Sequence, residues 1–246
     1  MRALIAGLGL IGGSIGMALR ARGWRIAFRD PNVSLDEARR SGAADDEDDG
    51  NADVVVLAMG VDVAVDILKS IEAPLTTSLI TSVCSVMQPL RAAAGAKNFV
   101  AGHPLAGSHE RGLGAARADL FEGKRWFIDA RNYEVEQLIR DCGAIGDVVD
   151  PAEHDEAVAL TSHLPQVLST ALAAYAERSG IDTRFAGSGL RTLLRLAASD
   201  AAVWQPIIES NRPAIEKHLE AVIEIAKTID DATFSDAQRF VAKLSS

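Results

Sequence analysis

Cysteine is scarce: Cys84 and Cys142 are the only two in 246 residues. Two are too few for a disulfide framework, and their spacing matches no zinc motif, so no metal site is expected. Long hydrophobic runs are absent as well. The longest, such as Val54–Met59, are strand-sized, well short of the roughly 18 apolar residues of a membrane span. The N-terminal Met1-Arg2-Ala3-Leu4-Ile5-Ala6 breaks at once into a glycine pattern, unlike a signal peptide. Net positive charge is missing too. The formal charge is −9, which argues against nucleic acid as a partner, since phosphate binding needs a basic face. These absences point to a cytoplasmic protein with neither a membrane nor a nucleic-acid partner. The acidic run Asp45-Asp46-Glu47-Asp48-Asp49 lacks the ligand spacing of a calcium loop and is expected to be a solvated loop.

With 48% hydrophobic and 24% charged residues, the composition is that of an ordinary globular protein. Short apolar runs alternate with helical patterns through residue 150. Strands are expected at Arg2–Ala6, Arg25–Arg29, Asp53–Ala58, Ser78–Val83, Phe99–Gly102, Trp126–Asp129 and Ala144–Val149. Helices are expected at Gly12–Arg22, Leu35–Ser41 (capped by Ser34), Val63–Ile71 and Tyr133–Cys142. Such alternation predicts an α/β fold, a doubly wound sheet of parallel strands. From Pro151 onward no strand pattern remains. Ala152–Arg178 reads as one long helix with a kink at Pro165, and four further helical segments follow. The expected organisation is therefore a Rossmann-type nucleotide-binding domain at 1–150 and an all-helical domain at 151–246. The helical part carries more apolar helix face than it can bury alone, which suggests a homodimer formed through it.

Three segments carry chemistry. Gly7-Leu8-Gly9-Leu10-Ile11-Gly12 follows a strand and opens a helix, the context in which G-x-G-x-x-G binds a dinucleotide. Gly7 allows the tight turn, Gly9 the approach of a pyrophosphate, and Gly12 close helix–strand packing. Asp30 ends the second strand, where a carboxylate accepts the ribose hydroxyls and repels a 2′-phosphate, so NAD is favoured over NADP. Arg29 beside it counts the other way. His103, in Gly102-His103-Pro104-Leu105-Ala106-Gly107, follows a strand end, where ligands of open α/β sheets bind, and a histidine there can take a proton near neutral pH. Ser85 follows another strand and could face the same crevice. In the helical part, Ser162 and Gln166 are polar positions near Pro165 in an apolar helix. Arg191 and Arg195 lie four apart on one expected helix face, suited to carboxylate recognition.

Together these segments resemble the prephenate/arogenate dehydrogenase family of tyrosine biosynthesis, over nearly the whole chain. The resemblance runs through Gly7–Ser14 and His103-Pro104-Leu105-Ala106-Gly107, with Leu120-Phe121 downstream. It continues in His154-Asp155, Ser162-His163-Leu164-Pro165, and Arg195-Leu196-Ala197-Ala198-Ser199-Asp200, with Trp204 and Asn211. It implies an NAD-dependent oxidative decarboxylation. His103 takes the ring-hydroxyl proton, Ser85 orients at the same centre, and Arg195 holds the ring carboxylate. Ser162, Gln166 and His109 lie near the substrate side chain.

The chain departs from the family pattern at four places. Ser82-Val83-Cys84-Ser85-Val86-Met87 stands for Asp-x-Gly-Ser-x-Lys, and His109 stands where an acid is frequent. Gln166 replaces the last histidine of Ser-His-Leu-Pro-His, and Arg191 replaces an aspartate. With no acid at His109, Ser162 or Gln166, prephenate is favoured over arogenate. No regulatory domain is expected. The alternatives are an arogenate or dual cyclohexadienyl dehydrogenase, another NAD-dependent hydroxyacid dehydrogenase, and a non-catalytic NAD-sensing protein.

Overall fold

The computed structural model describes residues 1–71, 78–107 and 110–244. In chain order the first elements are β1 (Arg2–Ala6), α1 (Leu10–Ala21), β2 (Arg25–Arg29), α2 (Leu35–Ser41), β3 (Asp46–Glu47), β4 (Val54–Leu57), α3 (Val61–Ser70) and β5 (Leu79–Ser82). They are followed by α4 (Gln88–Ala94), β6 (Phe99–Val100), β7 (Gly102–Pro104), β8 (Arg125–Ile128), α5 (Tyr133–Asp141) and β9 (Ile145–Val148). One sheet has the order β3-β2-β1-β4-β5-β6, all parallel. The strand order reverses beside β1, which makes the β1–β4 crevice a ligand-binding position of a doubly wound sheet. β4 reads Val-Val-Val-Leu with three of four residues buried, as expected of a strand covered on both faces.

Two expectations need correction here. The stretch Phe99–Gly102 is not one strand. β6 ends at Val100, and β7 starts at Gly102 in a second sheet, β7-β8-β9, whose β7–β8 pairing is antiparallel. The cause is Asp129. Its side chain is almost fully buried and accepts a hydrogen bond from the Ala101 amide at 2.9 Å, while Arg91 clamps its other oxygen. The Ala101 amide thus bonds to a carboxylate instead of to a neighbouring strand of the parallel sheet. Nor is the acidic run a solvated loop. Asp46 and Glu47 pair with β2, and the run neutralises a row of arginines: Arg20 on Asp45, Arg25 and Arg39 on Asp46, Arg29 on Asp48 and Arg2 on Asp49. These five side chains reach the sheet edge from four elements, β1, α1, β2 and α2, so the charge has partners that chain-local reading does not see.

After Pro151 the described elements are helical: α6 (Pro151–Val158), a π-helical turn (Ala159–His163), α7 (Leu164–Ser179), α8 (Ser188–Leu193), α9 (Ala201–Ser210), α10 (Arg212–Lys227) and α11 (Asp231–Leu244). Instead of the expected kink within one α-helix, the register changes at the π turn, and Pro165 falls in the first turn of α7. There its missing N–H costs little. The chain divides into two compact units. The first is Met1–Asp155 with Ser199–Ser210, and the second is Glu156–Ala198 with Asn211–Ser246. Two apolar clusters fill the first unit, one around Ile5, Ile15 and Phe121 and one around Leu57, Ile80 and Leu90. The second unit leaves Tyr175, Phe185, Phe234, Phe240 and Leu244 well over half exposed. No helix among the described residues is long and apolar enough to cross a membrane.

Close approach sets the position of α1. A Cβ on Gly16 would lie 2.0 Å from the Ala43 carbonyl oxygen. Gly16→Ala should therefore lower the unfolding free energy by about 1–3 kcal/mol, although alanine favours helix by about 1 kcal/mol. Urea denaturation measures it; equal or greater stability would show that α1 can shift away freely.

Candidate functional site

The glycine loop joins β1 to α1. Gly7 adopts φ +93°, and a Cβ there would sit 2.4 Å from the Ala58 carbonyl oxygen, so only glycine fits. A Cβ on Gly12 would lie 2.0 Å from the Gly7 oxygen and 3.0 Å from Ile5. Gly9 is different: nothing lies within 4 Å of its Cβ position. That open space adjoins the N-terminus of α1, which has no side-chain cap. An uncapped helix start beside an open glycine is a cradle for an anion such as a pyrophosphate. Asp30 closes the other side. Its carboxylate accepts the Leu8 amide at 2.7 Å and the Asn32 amide at 2.8 Å. Each oxygen has a second lone pair, so the half-buried group can tie the loop together and still accept ribose hydroxyls. The residues present fit a bound dinucleotide.

Arg29, the residue opposed to that reading, is held by Asp48 at 2.5 Å; the Asp48 side chain is only 9% exposed. A buried carboxylate is an effective anchor for an exposed guanidinium.

The second constellation gathers around His103. It lies on β7, a strand of the second sheet, and not in a loop. Gly102 precedes it because a Cβ there would meet the Ser82 carbonyl oxygen at 2.7 Å. The Gly102 amide also donates to Ser82 Oγ at 3.3 Å, which ties β7 to the end of β5. Half-buried His103 places its Nδ1 2.9 Å from Nε2 of His154, and His154 Nδ1 lies 2.8 Å from Asp155 Oδ1. His154 and Asp155 are both 2% exposed. Phe127, paired with His103 across β7–β8, packs edge-on against the His154 ring. Asp155 also accepts the amides of Met87 at 2.8 Å and Gln88 at 2.9 Å, at the start of α4. Ser85 is half-buried in the segment between β5 and that helix. Cys84 beside it is no nucleophile: burial pushes its thiol up to about 12, and its Sγ lies 3.5 Å from the Met59 carbonyl.

The remaining candidates belong to the second unit. Ser162 is exposed on the π turn. Gln166 is 3% exposed, and its Nε2 donates to the Leu196 carbonyl at 2.9 Å and contacts Thr170 Oγ1 at 3.0 Å. Its Oε1 is buried without a partner among the described residues. Arg195 and Arg191 are both exposed. They do not share one α-helical face as expected, because α8 ends at Leu193 and a 3₁₀ segment follows. The tighter 3₁₀ repeat breaks the i, i+4 phase. His109 lies outside the described residues.

Residue-level reading noted His154-Asp155 only as part of a resemblance and gave the pair no role. The available signal was two adjacent ionisable residues in the first turns of a helix after the last strand, and that signal is weak until β7 and α4 are seen to converge on them.

Comparison with known proteins follows the same division. The family model described as prephenate dehydrogenase, nucleotide-binding domain, matches residues 15–141, and that described as prephenate dehydrogenase, dimerization domain, matches 150–245. A prephenate dehydrogenase of Lactococcus lactis is 30% identical over 96% of this chain and 71% of its own length. One of Bacillus subtilis is 31% identical over 92% of this chain and 68% of its own. A crystal structure of prephenate dehydrogenase from A. aeolicus, in complex with hydroxyphenyl propionate and NAD+, shares the fold. Its TM-score is 0.84 at 24% identity, over 99% of this chain and 94% of that one.

The Asp48–Arg29 pair generates a prediction about coenzyme choice. Asp48→Asn releases Arg29 toward the ribose end of the site, and an arginine there accepts a 2′-phosphate. Fluorescence titration should show a tighter Kd for NADPH with that for NADH nearly unchanged. An unaltered ratio would mean that Arg29 does not reach the 2′ position.

Proposed function

The chain belongs to the prephenate dehydrogenase family, and on that premise we propose that it oxidatively decarboxylates prephenate to 4-hydroxyphenylpyruvate with NAD. Residues 1–150 form the nucleotide-binding domain. Residues 151–246 form the substrate and dimerisation domain, through whose exposed apolar side chains two copies pair. Gly7, Gly9, Gly12 and Asp30 hold the coenzyme; bound NAD supplies the hydride acceptor.

His103 acts as the base. It takes the proton of the ring hydroxyl while hydride leaves the same carbon. Across the ring, the bond to the carboxylate breaks, and its electron pair enters the ring as CO2 departs. Aromatisation makes the step effectively irreversible. Ser85 orients the reacting hydroxyl. Arg195 holds the ring carboxylate through charge-assisted hydrogen bonds. Ser162, Gln166 and His109 contact the substrate side chain. The observation that carries this reading is His103 itself: a half-buried imidazole hydrogen-bonded to buried His154 at 2.9 Å, in a chain that the two family models cover between them from residue 15 to 141 and from 150 to 245.

A second reading, activity on arogenate, is favoured by one observation. The Oε1 of Gln166 is a buried acceptor without a partner among the described residues, and the ammonium of arogenate is a donor. Formation of NADH with each substrate offered separately decides between them. A higher kcat/KM for prephenate is expected; one well above it for arogenate would establish the second reading.

Two variants test the roles. His103→Asn keeps a hydrogen-bonding side chain but no base, and should lower kcat by about 10²–10⁴ with NADH binding intact. Arg195→Gln should raise KM by an amount worth about 1.5–3 kcal/mol, the usual contribution of a hydrogen bond to a charged group. If Arg191→Gln has that effect and Arg195→Gln does not, the carboxylate is held by the other arginine.

A further inference from the structure

A chain of three side chains runs inward from the proposed base. Asp155 is buried, and one of its oxygens receives the Met87 amide as well as the His154 contact, while the other receives the Gln88 amide. A carboxylate in that setting is an acceptor toward His154. The proton between them therefore belongs to His154 Nδ1. In the neutral imidazole the other nitrogen is then a lone pair, so His154 Nε2 accepts. The 2.9 Å contact from His103 Nδ1 must then be a donated N–H. The tautomer of His103 follows: Nδ1 carries the hydrogen, and Nε2 is the basic nitrogen.

We propose that His154 and Asp155 are positioning residues for the dehydrogenation, holding His103 in the Nδ1–H tautomer and stabilising the imidazolium formed when it takes up the substrate proton. The proposal rests on the reading of His103 as the base. The proton that leaves the hydroxyl binds His103 Nε2. The positive charge is then shared along Nδ1–H to His154 and faces the Asp155 carboxylate, and no proton need leave the chain during the step. The burial of both partners makes this arrangement effective, because the hydrogen bonds act in a low-dielectric setting and are already formed before reaction. The two imidazoles meet nearly perpendicular, 5.1 Å between centroids at 83°, with the facing nitrogens 2.9 Å apart.

The test combines kinetics with a spectroscopic signature. Asp155→Asn retains an oxygen for the α4 amides but presents an amide that does not enforce the Nδ1–H form of His154. It should lower kcat by about 10²–10⁴ while KM changes by no more than about threefold. Because Asp155 also holds the start of α4, a second pair of variants guards against simple unfolding. His154→Phe keeps the ring packed on Phe127 but removes the acceptor, and should lose kcat similarly. His154→Gln restores an acceptor for His103 Nδ1–H without carrying charge, and should recover about tenfold of that loss. Independently of turnover, long-range ¹H–¹⁵N spectra of the ¹⁵N-histidine-labelled protein report the tautomer of His103, identified by its disappearance in His103→Asn. The Nδ1–H form is expected in the wild type and a shift toward Nε2–H in His154→Phe. An Nε2–H wild type, or unchanged kcat in both Asp155→Asn and His154→Phe, overturns the proposal. A wild type that turns over neither prephenate nor arogenate but shows the Nδ1–H signature overturns the functional reading and leaves the relay standing as a feature of some other proton transfer.

Discussion

A buried carboxylate has to fill its lone pairs, and the donors to Asp155, drawn from two distant parts of the chain, include three that meet its two oxygens. Two are the amides of Met87 and Gln88, and the third is the imidazole of its own neighbour. Left unpaired, such a group would cost several kcal/mol. The three contacts therefore hold the beginning of α4 and the first turns of α6 in register with each other, 67 and 68 positions apart in sequence. Because His154 is part of the same set, its ring orientation is settled before any substrate arrives. His103 inherits that orientation through one further hydrogen bond. If His103 is the base, structural and chemical demands meet in one side chain, and a change at Asp155 acts on both.

The other end of this arrangement is the single residue between the two sheets. If β6 simply continued, His103 would lie on the edge strand of the parallel sheet instead of pairing with Phe127 across β7–β8. The buried Asp129 carboxylate, clamped by half-buried Arg91, takes up the Ala101 amide, and the chain passes to an antiparallel partner. The glycine loop after β1, the segment carrying Ser85 after β5 and the crossover after β6 all leave the carboxyl ends of parallel strands. They therefore emerge on one edge of the first unit, where a doubly wound sheet binds its ligand. The same topology that satisfies the backbone gathers the dinucleotide cradle and the histidine onto that edge.

Much of this was legible from residues alone, for identifiable reasons. The glycine spacing, Asp30 and the strand–helix alternation are local patterns, and β1, β2 and α2 fall at the expected residues, with Ser34 capping α2 through the Glu37 amide. What escaped depends on contacts between distant segments. Asp129 decides where β6 stops, from 28 residues away. The acidic run looks like a solvated loop until five arginines from β1, α1, β2 and α2 are brought to it. The π turn before Pro165 leaves no compositional trace, and it moves Pro165 from the interior of an expected helix to a position where proline is tolerated. Arg191 and Arg195 were placed on a common face by α-helical spacing that a 3₁₀ segment does not keep. The candidate residues themselves are local features of the chain: the glycines, Asp30, His103 and Ser85 lie on the first unit, and Ser162, Gln166 and Arg195 on the second. The hydrogen bonds that tie His103 to His154 and His154 to Asp155 were not legible in the sequence.

The second unit extends the same reasoning to the polar interior of α7. Gln166 and Ser169 are both buried, and Gln166 Oε1 and Ser169 Oγ make no hydrogen bond among the described residues. Three positions apart, they are neighbours along the helix. Unsatisfied buried polar groups cost about 1–3 kcal/mol each; an aliphatic side chain at Ser169 would avoid that cost, whereas one at Gln166 would also remove the donor to the Leu196 carbonyl. The Nε2 of Gln166 is spoken for by the Leu196 carbonyl, which can only accept, so the amide cannot turn over to relieve its oxygen. Gln166 therefore ties α7 to the Leu196 carbonyl while leaving its Oε1 an open acceptor just after Ser162-His163-Leu164-Pro165. A donor on a bound molecule is the simplest group that would complete it. On the proposed reading, it is the substrate side chain, keto oxygen or ammonium, that this amide would meet, and not the groups that react at the ring.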